Sequence, residues 1–180
     1  MELTRRTFAK TVAASAAALA IPRQFLHAAE PQGDLGISHS ADAIHREAVI
    51  KSTPARVYAA LTEAKQFDGV FKLSAASKTM PASAAPSAIS KEPGGAFSLF
   101  GGYITGRQIE LTPNSHIVQV WRSASWPAGA YSLVVWNITP SGAGTKLSLD
   151  HTGFPAAEAE HLATGWRDNY YTPLIKYLAS

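Results

Sequence analysis

Between residues 96 and 152 the chain offers a run of apolar, strand-forming segments whose connections are too short for anything but antiparallel neighbours. Segments 96–100 and 103–112 flank Gly101 and Gly102, a two-residue hairpin signal. Pro113 and Asn114 turn the chain into 117–123. A loop at Trp126, Pro127, Ala128 and Gly129 leads into 131–139, and residues 141–144 turn it again into 145–152. Such a meander has an apolar face that another element must cover. The covering element follows it: Leu162, Trp166, Tyr170, Leu174 and Leu178 recur every fourth position, the stripe of one long helix. Pro173 has no N–H and crowds the carbonyl of Asn169, so a kink is expected there.

The segment before the meander adds a strand and two short helices. Residues 44–51 alternate with β-branched positions and suit a first strand. Ser52, Thr53 and Pro54 form a helix start, a cap residue followed by proline in the first turn. Val57, Tyr58, Leu61, Phe67, Val70 and Phe71 then recur at helical spacing, with a break near Glu63. Residues 75–90 are dominated by Ala, Ser and Pro, and read either as a solvated loop or as a mobile flap over a cavity mouth. The expected class is therefore α+β, with a curved antiparallel sheet wrapped around a long C-terminal helix and two short helices after the first strand. A helix lying across a curved sheet tends to leave a cavity, and such cavities are common ligand sites.

Length and charge narrow the function. A chain of 180 residues suits one domain. Of its 16 basic residues, Arg5, Arg6, Lys10 and Arg23 precede residue 28 and face only Glu2 there, which leaves twelve basic and twelve acidic residues beyond it. That remainder is near neutral and carries no Lys/Arg cluster of the kind nucleic acid requires, so nucleic acid is not an expected partner. The absence of cysteine excludes disulfides, thiolate metal sites and a cysteine nucleophile.

The N-terminus carries its own signal. Thr4, Arg5, Arg6, Phe8 and Lys10 match the twin-arginine pattern S/T-R-R-x-F-x-K. A short alanine-rich apolar stretch follows at 11–21, well under the ~20 strongly apolar residues that span a bilayer. Small residues at Ala28 and Ala29 offer a cleavage point. The expected organisation is a twin-arginine signal peptide at 1–28, a flexible leader at 29–43 containing Pro31, Gly33 and Gly36, and a domain at 44–180. The expected destination is periplasmic or secreted, with the twin-arginine translocase as a partner during export. No cofactor is expected, because no phosphate loop, dinucleotide fingerprint or G-x-S-x-G elbow occurs.

Specific residues carry a family resemblance along 44–178. They are the strand–Pro54–helix opening, Gly94 and Gly95 before a strand, Gly106 followed by Ile109, Glu110, Leu111 and the Pro113 turn, Ile117 and Val118 with Trp121 and Arg122, and Ser132 before an apolar strand. The clearest part is the series Gly144, Thr145, Leu147, Leu149, His151, Gly153, Phe154 and Pro155, with Gly165 and Trp166 about ten residues on. The chain resembles the START-like (SRPBCC, helix-grip) superfamily, and within it the domain homologous to the activator of the heat-shock protein 90 ATPase. The resemblance implies a helix-grip fold with an internal cavity. It leaves the activity open, since members include lipid carriers, polyketide cyclases and co-chaperone domains.

Strand alternation selects the candidate site residues. Val134, Trp136 and Ile138 share a face, as do Thr145, Leu147, Leu149 and His151, and both sets should face the helix. His151 would then point inward near Trp166 and Tyr170, either to bind a ligand or act as acid or base, or as a core histidine satisfied by a tyrosine or a backbone carbonyl. Trp121 and Trp136 lie in strands and Trp166 on the helix stripe, where aromatic rings bury large areas. Trp126, set in a loop by Pro127, is a candidate for the cavity rim. Arg107 shares parity with Ile109 and Leu111, so it either points inward to an anionic group or snorkels to solvent. Arg122 falls on the outer face. His161, beside Glu158 and Glu160, lacks metal-ligand spacing, and no metal is expected.

The residues support a module that binds a small hydrophobic or aromatic molecule between sheet and helix, with His151, Tyr170 and Arg107 as orienting polar groups. Two alternatives remain open: a cyclase- or dehydratase-type enzyme using His151, and a co-chaperone or assembly factor acting through protein contacts.

Overall fold

A computed structural model describes residues 41–179. The twin-arginine motif at Arg5, Arg6, Phe8 and Lys10 lies outside the described residues. Within them, strands β1 (Ala41–Ile50), β2 (Ala88–Ile89), β3 (Ala96–Leu99), β4 (Ile104–Thr112), β5 (His116–Ser123), β6 (Ser132–Ser141) and β7 (Gly144–Pro155) form one sheet. Its order is β1-β7-β6-β5-β4-β3-β2, antiparallel at every pairing. The first strand pairs with the last. The chain therefore leaves one edge of the sheet and starts again at the other, and the helices α1 (Pro54–Thr62) and α2 (Ala64–Phe71) lie in that crossing.

Local chemistry explains these elements. Thr53 caps α1, its Oγ1 accepting the Arg56 N–H at 3.3 Å, and Pro54 occupies the first turn. Glu63 is extended and separates α1 from α2, where the sequence places the break. Alternation holds closely on the inner strands. Ile117 and Trp121 on β5, Val134, Trp136 and Ile138 on β6, and Thr145, Leu147, Leu149 and His151 on β7 are all buried on the concave face. Gly106 on β4 has a packing reason, because a Cβ there would collide with the Val120 carbonyl and the Phe97 ring.

Three features depart from the sequence expectation. The β3–β4 connection is wider than a two-residue hairpin. Leu99 pairs with Ile104, and Phe100, Gly101 and Gly102 between them all take positive φ, at 51°, 63° and 92°. The 75–90 segment is not wholly irregular: it contains a short helical turn, Ala76–Lys78, and the edge strand β2. Pro173 acts by widening the helix. α3 (Ala159–Gly165) passes through a π-helical turn (Trp166–Tyr171) into α4 (Thr172–Leu178), and the Thr172 N–H reaches back to Arg167.

That widening has a use. Pro173 has no N–H to offer the Asp168 carbonyl. The carbonyl instead accepts the Ala75 N–H at 3.2 Å, while Asn169 Oδ1 accepts the Ala76 N–H at 2.8 Å. The proline thus creates the docking point that holds the 75–79 segment against the long helix.

Candidate functional site

The helix–sheet interface is open where the α3–π segment faces the start of β4 and the end of β5. A cavity of about 380 Å³ lies between the start of β4, the end of β5 and the α3–π segment. Ile104, Trp121 and Ser123 supply its sheet wall. His161, Leu162, Trp166, Asp168 and Tyr170 supply its helix wall, and Ala75, Ala76 and Thr79 close it from the docked segment. Phe100 and Tyr103 complete the mouth.

Phe100 is held there in an unusual way. A left-handed φ is rare for a bulky residue and carries a penalty of roughly 1–3 kcal/mol. Ring contacts at 5.6 Å to Phe67 and 5.4 Å to both Phe71 and Tyr170 retain it. The turn thereby aims an aromatic ring at the cavity, where a strand continuation would have placed it in the sheet.

His151 stands behind this cavity and does not line it. Trp166 Nε1 donates to His151 Nδ1 at 3.0 Å. An indole can only donate, so Nδ1 must be the acceptor and Nε2 must carry the proton. Nε2–H then donates to Ser132 Oγ at 2.7 Å, and Ser132 donates to the Trp121 carbonyl at 3.4 Å. The chain of donors runs in one direction and leaves neither ring nitrogen free. Burial lowers the His151 pKa to about 3, so the ring is neutral throughout the physiological range. Trp121, Trp166 and Phe154 pack around it with ring centroids at 5.1, 5.4 and 4.8 Å. The geometry is that of a satisfied core histidine, with a serine and an indole as partners in place of the expected tyrosine or backbone carbonyl.

The structure distributes the other expected site residues unevenly. Trp121, Trp166 and Tyr170 line the cavity. Trp136 is buried in the middle of the grip against Trp166 at 5.4 Å, and fills that region. Trp126 is a correction: it is 3% exposed, not at the rim, and its ring lies 5.8 Å from Trp121. Arg122 explains its position, donating to the carbonyls of Trp126, Pro127 and Ala130 at 2.9, 2.6 and 3.0 Å and folding the loop inward.

Arg107 is the second correction. A β-bulge between Gln108 and Glu110 reverses the parity of β4. Gln108 is buried and Leu111 half-buried on the concave side, whereas Arg107 is exposed and donates to the Gly94 carbonyl at 2.8 Å. It does not reach the cavity. Phe100 and Ile104 are lining residues that the sequence reading did not single out, whereas Ala75, Ala76 and Thr79 belong to the 75–90 segment for which a position over a cavity mouth was one of the two readings. Leu162 was visible on the helix stripe, but Phe100 was hidden by its reading as a strand residue.

Among the described residues no group of three or more His, Cys, Asp or Glu could hold a metal ion. Tyr170 is 7% exposed, and its hydroxyl is buried without a hydrogen bond of normal geometry, although the Trp121 indole is close enough to act on it. Burial pushes the Tyr170 pKa well up, so the group is a neutral hydroxyl.

The profile of the family Activator of Hsp90 ATPase homolog 1-like protein matches residues 51–179. Activator of 90 kDa heat shock protein ATPase homolog 1 of Mus musculus is 33% identical over 87 residues, covering 48% of this chain and 26% of the mouse protein. The chain therefore spans about a quarter of the length of the curated relatives it matches. An HSP90 activator from Plasmodium falciparum superposes with a TM-score of 0.60 at 25% identity, over 74% of this chain and 92% of that one. CalU16 from Micromonospora echinospora superposes at 0.58 and 19% identity, over 77% and 74%, a likeness of fold alone.

Proposed function

The chain belongs to the Activator of Hsp90 ATPase homolog 1-like family, and within that family we propose that it binds a small hydrophobic or aromatic molecule between its sheet and its C-terminal helix. The observation that carries this reading is the cavity of about 380 Å³, walled by Phe100, Ile104, Trp121, Leu162, Trp166 and Tyr170. Its size falls in the range of about 300–1,000 Å³ typical of small-molecule sites. Binding comes from apolar area removed from water, at about 25 cal/mol per Å² before the costs of association. The sealed donor chain through His151 argues for binding over acid–base catalysis, because the ring has no free nitrogen and no access to the cavity.

The residues Arg5, Arg6, Phe8 and Lys10 support export by the twin-arginine route, so the proposed place of action is the periplasm or beyond. Native mass spectrometry of the chain purified from its own host tests the binding reading. A discrete extra mass that disappears on denaturation is the expected result, and bare protein mass across preparations weighs against it.

Family membership favours one other reading, a protein contact of the kind named for the mouse and Plasmodium relatives. It predicts stimulation of a heat-shock ATPase by the purified domain, and a steady-state ATPase assay without any stimulation removes it.

A further inference from the structure

One carboxamide in the cavity wall is engaged on one side only. Asn169 lines the cavity and is half-buried. Its side chain receives the Ala76 N–H at 2.8 Å. Only the amide oxygen can accept, so Oδ1 faces the 75–79 segment and Nδ2 is left over as a donor. Nδ2 has no acceptor among the described residues, and it is not one of their buried unpaired atoms, so it is open to solvent. The other polar groups of the wall are committed or lie outside it. Thr79 Oγ1 donates to the Ala76 carbonyl at 3.2 Å, Ser123 Oγ is bonded to Ser125 Oγ at 2.9 Å, and the Asp168 carboxylate holds Arg167. The Tyr170 hydroxyl is sealed beside the Trp121 indole. His161 and Thr164 are exposed.

Gly165, one turn earlier on the helix, gives that donor its room. It too lines the cavity. Apart from the helix's own backbone, a Cβ built on Gly165 meets only Asn169 Nδ2, at 4.0 Å. Glycine inside a continuous helix costs stability relative to alanine, and no packing contact at this position requires it. The result is empty lining space with a free N–H donor at its edge. A ligand that fills this space displaces water from Nδ2. Without an acceptor it leaves the donor unpaired, whereas a ligand oxygen beside Gly165 replaces the lost bond. We propose that Asn169 is a specificity-determining residue of this site: Oδ1 stays on the 75–79 segment while Nδ2 donates to a carbonyl or similar acceptor oxygen of the bound molecule. This rests on the cavity being a ligand site.

The test uses tetralin and 1-tetralone, ring systems of one shape that differ by a carbonyl, titrated calorimetrically into the wild-type and Asn169→Asp proteins. The aspartate keeps an acceptor for the Ala76 N–H and lacks the donor. The affinity for tetralone relative to tetralin should fall roughly three- to tenfold in the variant, the worth of one hydrogen bond. Tetralin affinity should stay within about twofold, and amide exchange at Ala76 should not accelerate, which separates the donor from the structural role of Oδ1. In the wild-type protein the side-chain NH₂ signal of Asn169 should move further with tetralone than with tetralin, a readout that does not depend on the variant folding. An unchanged affinity ratio, or an NH₂ signal that responds equally to the two molecules, overturns the inference and leaves the cavity reading standing. No binding of either molecule overturns both.

Discussion

Removing the Ser132 hydroxyl should destabilise the domain far more than a serine-to-alanine change usually does. His151 Nε2–H has Ser132 Oγ as its acceptor at 2.7 Å, and the site is closed to solvent. The histidine has no easy escape. Switching to the other tautomer would set an Nδ1–H against the Trp166 indole N–H, now 3.0 Å away as a donor. Ser132→Ala therefore leaves a buried donor unpaired, at about 1–3 kcal/mol. For a domain of this size that corresponds to a fall in Tm of about 3–10 °C. Equilibrium urea unfolding measures the free energy, and long-range ¹H–¹⁵N spectra read the tautomer directly.

The same network sets a pH dependence. The unfolded chain protonates His151 near its ordinary 6.5, and the folded chain only at about 3. Its contribution to stability is complete above pH 6.5 and is lost as pH falls from there toward 3, by up to about 1.4 kcal/mol per pH unit. His45 works in the opposite sense: Asp150 raises its pKa, so its contribution is present at low pH and lost on raising the pH, and it sits fully exposed. The difference in stability between wild type and His151→Gln should therefore shift with pH between 6.5 and 4. A Ser132→Ala change of less than about 0.5 kcal/mol, together with an Nδ1–H tautomer, would refute the network as described.

Three further changes probe other parts of the account. Arg122→Ala removes three bonds to loop carbonyls and should cost about 1–3 kcal/mol while red-shifting tryptophan emission as Trp126 becomes wet; unchanged emission would show that the loop holds itself. Gly106→Ala forces its new methyl group into the Val120 carbonyl and the Phe97 ring and should cost about 2 kcal/mol or more by overpacking, measured by thermal unfolding, whereas a neutral result would mean the strand shifts freely. Pro173→Ala restores an N–H that can claim the Asp168 carbonyl, so hydrogen exchange at Ala75 and Ala76 should accelerate, and exchange at the wild-type rate would remove the proline's role in docking that segment.

The sequence pattern revealed the layers more readily than the site. Alternation on β6 and β7 placed Trp136, Leu147, Leu149 and His151 on the inner face, because a strand buried on one side repeats with a period of two residues. The same rule failed on β4, where one bulge residue reverses parity and turns Arg107 outward. Nothing in the run from Gly106 to Leu111 announces that bulge. Trp126 was misplaced for a related reason: Pro127 marks a loop, but the Arg122 side chain that folds it inward comes from a neighbouring strand. The cavity itself could be expected from a helix crossing a curved sheet, yet not located. Apolar residues fill the middle of the grip and line its open end alike, and only packing separates Trp136 from Trp121. Phe100 was concealed by a backbone conformation that its residue type rarely adopts.

The central claim is that the space beside Phe100, Trp121 and Tyr170 is a ligand site. Chemical-shift mapping with naphthalene on the isotopically labelled chain tests it most directly. The account predicts perturbations at Ile104, Leu162 and the indoles of Trp121 and Trp166, with outward-facing Val49 and Tyr131 unmoved. Shifts confined to Val49, Tyr131 and their exposed neighbours, with the cavity residues silent, would contradict it.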